Sequence, residues 1–253
     1  MLKRLLPPVC AALLLITLCS GCKKDSNGNL VIKLNATYNG QYFALDTFNT
    51  DPSGRVFSFV DCMFYLSNIT LVKTNNETVN VSAVNLFDLG NPALQSVTLN
   101  NIATGDFKAI TYGCGVDSVQ NNTNPSDVAL SSPLNANYDY PATMYWPMLK
   151  YRFEVLDGVW DTAILPIMRN AVSYHVGGNA YYTNGQANQS FSVCCGQTTT
   201  LTLNLDLYKI FNGSKDTLNV VTEPGTQSSS ADPPIIATTF ANNFSHAFTL
   251  LNP

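Results

Sequence analysis

Residues 56–72 read VFSFVDCMFYLSNITLV and form the longest strand-like stretch of the chain. Aromatic and β-branched side chains dominate it, and these are the residues that favour extended backbone. The run therefore predicts a long β-strand, and the rest of the chain continues in the same style.

Short apolar or alternating runs separated by turn residues follow on both sides of this stretch. Asn39-Gly40, Asn184-Gly185 and Asn212-Gly213 are the clearest hairpin or turn signals. Residues 206–211 and 234–243 fit short helices at most. We therefore expect a mostly β protein, a single antiparallel β-sandwich domain with long loops and at most short helices. The further predicted strands are residues 30–38, 79–89, 105–112, 145–156, 172–182, 191–193, 199–207 and 244–251.

The N-terminus has the layout of a lipoprotein export signal. Lys3 and Arg4 precede an apolar run over residues 5–18, which is shorter than the roughly 20 residues that span a bilayer. Small residues then lead to Cys22. We expect a signal peptide over residues 1–21, a lipidated Cys22 with a tether over residues 22–29, and one domain over residues 30–253. The alternative is a plain secreted protein cleaved at another position.

Composition limits the partners of such a domain. Hydrophobic residues make up 45% of the chain and charged residues only 12%, so amides and hydroxyls must supply much of the polar surface. The net charge of −4 argues against nucleic acid as a partner, because phosphate binding needs a surplus of Lys and Arg. The acyl chains on Cys22 are the expected membrane anchor, which places the domain outside the cytoplasm, on an outer membrane, facing the periplasm or the cell surface.

Four cysteines follow the export signal: Cys62, Cys114, Cys194 and Cys195. An even number in an oxidising compartment predicts two disulfides. Adjacent cysteines rarely pair, so we expect Cys194 and Cys195 to reach back to Cys62 and Cys114, in either order. The competing interpretation is a thiolate site for Cu(I).

Common catalytic signatures are absent from the sequence. It contains no G-x-S-x-G, no P-loop and no H-E-x-x-H, and its two histidines are His175 and His246. Two carboxylates of a glycosidase can come from distant strands, so a surface enzyme acting on glycans stays as a third option. We expect a protein that is not an enzyme.

Several blocks in a fixed order resemble the MbnP-like family of copper-binding proteins, which includes a periplasmic partner of a copper chelator and many lipoproteins of Bacteroidota. The resemblance extends over nearly all of the chain after the export signal. Its blocks are FYLSNI at 64–69, GCGVDS at 113–118, SPL at 132–134, MYW at 144–146, YRF at 151–153 leading to DG at 157–158, HVG at 175–177, LYKIF at 207–211 and ANN at 241–243.

The resemblance implies a β-rich domain that binds copper through histidines and, in some members, an oxidised tryptophan. It points to Trp146 and His175, and to a copper chelator or a partner protein as the physiological contact. The sequence departs from the family at Met148, where a second Trp is usual, and at Lys150, where Gly is usual.

The residues themselves also make a case for copper. If the segment is extended, Met144, Trp146 and Met148 project to one face, where Cu(I) could meet two thioethers and an indole, with His175 completing the set. The opposing interpretation is that this stripe packs in the core and that His175 is structural. The leading hypothesis is a lipid-anchored, non-catalytic copper-binding protein. The alternative is a β-sandwich adhesion or ligand-binding lipoprotein with no metal site.

Overall fold

The computed structural model describes residues 27–52, 54–136, 144–147, 150–161, 170–214, 216–229 and 231–251. These residues form two β-sheets with a hydrophobic core between them. The mostly β sandwich with short helices is confirmed. The predicted signal peptide, Cys22 and Met148 lie outside the described residues.

Strands account for most of the described chain, and every predicted strand region contains one or more of them. The helices are α1 (Ser118–Asn121), α2 (Tyr208–Phe211) and α3 (Pro234–Ser245). The strands are β1 (Asn27–Tyr38), β2 (Gln41–Tyr42), β3 (Asn49–Thr50), β4 (Val56–Lys73), β5 (Thr78–Asp88), β6 (Ser96–Ala103), β7 (Gly105–Cys114), β8 (Tyr145–Trp146), β9 (Lys150–Asp161), β10 (Asn170–Gly177), β11 (Thr183–Val193), β12 (Thr198–Asp206), β13 (Gly225–Thr226) and β14 (Phe248–Leu251).

Strand β4 organises the larger sheet, as its length predicted. Its residues pair with β9 in the first half, with β7 in the second half and with β5 along residues 63–72. Phe64 and Leu66 point into the core between the sheets, whereas Met63 and Tyr65 belong to a second cluster. Because successive side chains of a strand alternate between faces, the second cluster lies on the outer face of this sheet.

Two pairings depart from the antiparallel pattern that predominates in the sandwich. β1 pairs with β12 in parallel, and β10 pairs with β13 in parallel, while the other pairings are antiparallel. Parallel neighbours need a long crossover, and β1 and β12 are joined by most of the chain. β1 also begins at Asn27, so the last residues of the predicted tether are part of the first strand.

Helix α3 packs against β7, β10 and β11 and covers part of the core. It extends two residues beyond its predicted end, and Phe244, which was predicted to start a strand, lies within it. Phe240 and Phe244 stack on each other with 5.9 Å between ring centroids, and both are almost fully buried. Burying such rings stabilises the fold by roughly 1.5–3 kcal/mol each.

The predicted disulfide pairing is wrong. Cys62, Cys114 and Cys195 carry free thiols, so neither Cys62 nor Cys114 is bridged to Cys194 or Cys195. Cys62 and Cys114 are buried on the core side of β4 and β7, where they pack as small apolar side chains. Within the described residues no helix is long and apolar enough to cross a membrane.

Candidate functional site

His175 lies in the middle of β10, on the outer face of the larger sheet. Its neighbours Tyr174 and Val176 are fully buried in the inter-sheet core, so alternation turns the imidazole to the other side. In the register of β10 with β9, His175 is opposite Val155 and Ser173 is opposite Asp157. The imidazole therefore lies diagonally across from the Asp157 carboxylate.

Both ring nitrogens of His175 contact acceptor oxygens. Nε2 lies 3.0 and 2.9 Å from the two carboxylate oxygens of Asp157, and Nδ1 lies 2.8 Å from Oε1 of Gln227. The Gln227 amide is oriented by its Nε2, which donates to Ser173 at 3.2 Å. A doubly protonated ring can donate a hydrogen bond to both Asp157 and Gln227, whereas a neutral ring carries one N–H and can donate to only one of these two acceptors.

Several charges act on the Asp157 carboxylate. Its burial raises the pKa, but hydrogen bonds from His175 and Ser173 and the charges of His175 and Arg152 outweigh this effect, so its pKa lies below the ordinary value. Asp61 is directly opposite on β4. Burial, followed by the charges of Asp88 and Asp157, raises the pKa of Asp61. The outer face thus presents one imidazole beside carboxylates of two strands.

Trp146 contacts Arg152, whose charge acts on the Asp157 carboxylate. The Arg152 guanidinium carbon lies 4.8 Å from the centroid of the Trp146 ring, and the same guanidinium stabilises the charge of Asp157. Arg152 therefore contacts Trp146 and acts on Asp157 through its charge. Because a guanidinium already occupies one face of the indole, that face does not accept a second cation.

Met144 does not join the cluster. Met144 is 1% exposed and packs in the outer-face apolar cluster with Tyr151, Phe153 and Val155. For Met144 the core-packing interpretation is therefore the correct one, so this thioether does not reach Trp146 and His175 as the predicted ligand set required. Strand β8 ends at Trp146, and Met148 lies outside the described residues.

Glu154 is a polar group that the sequence did not single out. It is fully buried on the core side of β9, and neither carboxylate oxygen has a hydrogen-bond partner among the described residues. Burial raises its pKa well above the ordinary value, and burial likewise raises the pKa of the Cys114 thiol. A carboxyl group in this environment is held neutral.

Sequence reasoning also missed the partners of His175. Asp157 was noted only as part of a segment that resembles the MbnP-like family, and Gln227 lies in a Ser- and Pro-rich loop with no recognisable motif. The sequence did contain one signal for Asp157. Residues 153 and 155 of β9 are apolar, and residue 157, which follows them on the same face, is charged. The other histidine, His246, is exposed at the end of α3, where Nδ1 lies 2.8 Å from the carbonyl oxygen of Asn242.

The described residues contain no group of three or more His, Cys, Asp or Glu side chains arranged to hold a metal ion. His175 and Asp157 are therefore a two-donor centre. An imidazole nitrogen and a carboxylate oxygen suit Cu(II) and other borderline divalent ions, and they do not provide the soft donors that Cu(I) prefers.

Comparison with known proteins gives a consistent family assignment. The family model of MbnP matches residues 27–228. Among solved structures, the chain is similar to MbnP from Methylosinus trichosporium, with a TM-score of 0.53 and 14% identity over 88% of this chain and 97% of that one. At this identity the structural likeness concerns the fold. No curated protein matches the chain.

Proposed function

This chain belongs to the MbnP family, and from that premise we propose that it is a lipid-anchored, extracytoplasmic copper-binding protein without catalytic activity. The family match covers most of the chain and supports a copper-related role outside the cytoplasm. The export signal and Cys22 in the sequence support the lipid anchor. In this proposal copper is cargo that the protein sequesters or presents.

The His175–Asp157 pair is the observation that supports the copper site best. Two ligand atoms bound to one metal at about 2.0 Å on perpendicular directions lie about 2.8 Å apart, and Cu(II) prefers such tetragonal N and O sets. Nε2 of His175 and the nearer oxygen of Asp157 are 2.9 Å apart. Copper would therefore take the place of the proton that these two groups share, after rotations that point the imidazole lone pair and a carboxylate oxygen at one ion.

Two donors leave most of the copper coordination sphere open. Met144 is buried in the apolar cluster and Trp146 is stacked on Arg152, so neither supplies a further ligand without repacking. Copper at this centre would keep water or the atoms of a small chelator as its remaining ligands. This fits a protein that takes copper from a chelator or passes it to a partner, because an open coordination sphere permits ligand exchange.

Titration of the full chain with glycine-chelated Cu(II) tests the site. We expect His175→Ala to weaken binding by roughly 100-fold or more, since loss of an outer partner of a ligand alone costs 10- to 100-fold. His246→Ala is the matched control, because it removes the other histidine, which is exposed at the end of α3. Equal affinities of the His175→Ala and unsubstituted chains would overturn the site.

The anchor has a separate test. Mass spectrometry of the chain purified from bacterial membranes should find acyl chains on Cys22, and Cys22→Ser should release the protein into the soluble fraction. Soluble protein cleaved at another residue would contradict the lipid anchor without affecting the copper site.

A β-sandwich adhesion or ligand-binding lipoprotein without a metal is the second candidate. It is favoured by one observation: Asp157 and Gln227 already occupy both nitrogens of His175, as expected for a structural histidine. Under this alternative the chain retains no copper at micromolar metal, and His175→Ala changes its stability alone.

A further inference from the structure

An open groove lies over β7 and β11, apart from the His175 centre. Its volume is about 510 Å³, within the range of small-molecule sites. The side chains at its surface are amides, a hydroxyl and an imidazole, contributed by Asn68, Thr111, Asn184, Gln186 and His246. None of the lining residues is Lys, Arg, Asp or Glu, and the Asp117 carboxylate lies 3.5 Å from the Asn68 amide nitrogen, so the groove offers no positive charge to an anionic ligand.

Two glycines shape the groove. A side chain at Gly113 would collide with the Tyr182 hydroxyl, which lies over this strand, and a side chain at Gly185 would collide with Tyr112 and the carbonyl of Ser245. The absence of side chains lets Tyr182 on one side and the end of α3 on the other approach the sheet. The end of α3 carries His246, which therefore stands beside β11.

Part of the polar lining is fixed and part is free. Asn68 has a left-handed backbone (φ 51°) at an irregularity of β4, and its amide donates to the Tyr182 hydroxyl at 3.1 Å. Among the described residues, no side chain is hydrogen-bonded to Thr111 Oγ1, to the Asn184 amide or to Nε2 of His246. With Nδ1 of His246 donating to Asn242, Nε2 is an acceptor.

From this arrangement we propose that the groove binds a neutral saccharide. Sugar hydroxyls donate and accept at the same atom, which matches a surface of amides, a hydroxyl and an acceptor nitrogen. The absence of charged lining residues disfavours acidic sugars and phosphorylated ligands. A peptide would bring apolar side chains, and the exposed lining side chains offer them no pocket. The proposal does not depend on copper binding.

Isothermal titration of the full chain with maltotetraose, cellotetraose and chitotetraose tests this inference, in a detergent without a sugar headgroup. Tetragalacturonic acid is the charged probe. We expect at least one neutral tetrasaccharide to bind, and Asn184→Ala to weaken it by about 3- to 10-fold, the effect of one hydrogen bond. Asn184 is exposed on β11, so its substitution leaves the fold intact.

Gln197→Ala is the matched control, since Gln197 is an exposed amide that does not line the groove. It should bind like the unsubstituted chain. The proposal is overturned if none of the three neutral sugars binds at roughly 10 mM, or if Asn184→Ala and Gln197→Ala bind equally. Tighter binding of tetragalacturonic acid than of every neutral sugar also overturns it.

Discussion

Replacing Glu154 should remove a pH-dependent weakness from the core. The carboxyl group is fully buried, without a hydrogen-bond partner in the part of the chain that the structure describes, and burial raises its pKa well above the ordinary 4.5. The folded chain keeps the proton, whereas the unfolded chain releases it above pH 4.5. Stability is therefore retained below that pH and lost as the pH rises towards the folded pKa, by up to about 1.4 kcal/mol per pH unit.

Two substitutions separate the effect of ionising the Glu154 carboxyl group from the effect of burying its oxygens. Glu154→Gln keeps a buried polar group but cannot ionise, so it should remove the pH slope alone. Glu154→Leu also removes the unpaired oxygens, each of which costs about 1–3 kcal/mol, and should be the more stable variant at every pH. Urea denaturation of both variants and the unsubstituted chain, between about pH 5 and pH 8, measures the difference in unfolding free energy.

Glu77→Gln is the matched control, because Glu77 is exposed and its pKa is lowered by hydrogen bonds from Lys73 and Asn75 and by the charge of Lys73. It should not show the stabilisation that grows with pH. The reasoning about Glu154 is refuted if Glu154→Leu is less stable than the unsubstituted chain throughout, or if the stability difference for Glu154→Gln does not change with pH.

Three further changes have defined outcomes. Gly158→Ala places a methyl group against the Ser58 carbonyl of the neighbouring strand and should lower the unfolding free energy by roughly 1–3 kcal/mol in urea; an unchanged midpoint would contradict this packing. Asp157→Asn should weaken Cu(II) binding by about 10- to 100-fold in the same titration; unchanged affinity would exclude the carboxylate as a ligand. In the native chain Cys195 should react with a thiol reagent and Cys62 only after unfolding, since Cys62 is 1% exposed and burial raises the pKa of its thiol; equal native rates would refute the burial.

Local pattern was enough to predict most of the strands. The β4 run was recognisable because apolar residues supply both faces, the inter-sheet core and the outer-face cluster around Met63 and Tyr65. The parallel pairing of β1 with β12 was not predictable, since it joins segments from opposite ends of the domain. The Cys pairing failed for the same reason, because it depends on distances that spacing does not encode.

The site was predicted only in part. His175 was identified through a family resemblance, but its partners come from β9 and a distant loop, and their proximity follows from strand register. The predicted contribution of Met144 failed because its side chain packs into an apolar cluster. Alternation of side chains along a segment does not reveal which face of a strand is covered by other parts of the chain.

Electron paramagnetic resonance of the Cu(II)-loaded full chain tests the copper site most directly. We predict electron spin-echo modulation from a single imidazole, lost in His175→Ala and kept in His246→Ala. Modulation from two imidazoles, or a signal that persists in His175→Ala, would contradict a copper centre built on His175 and Asp157.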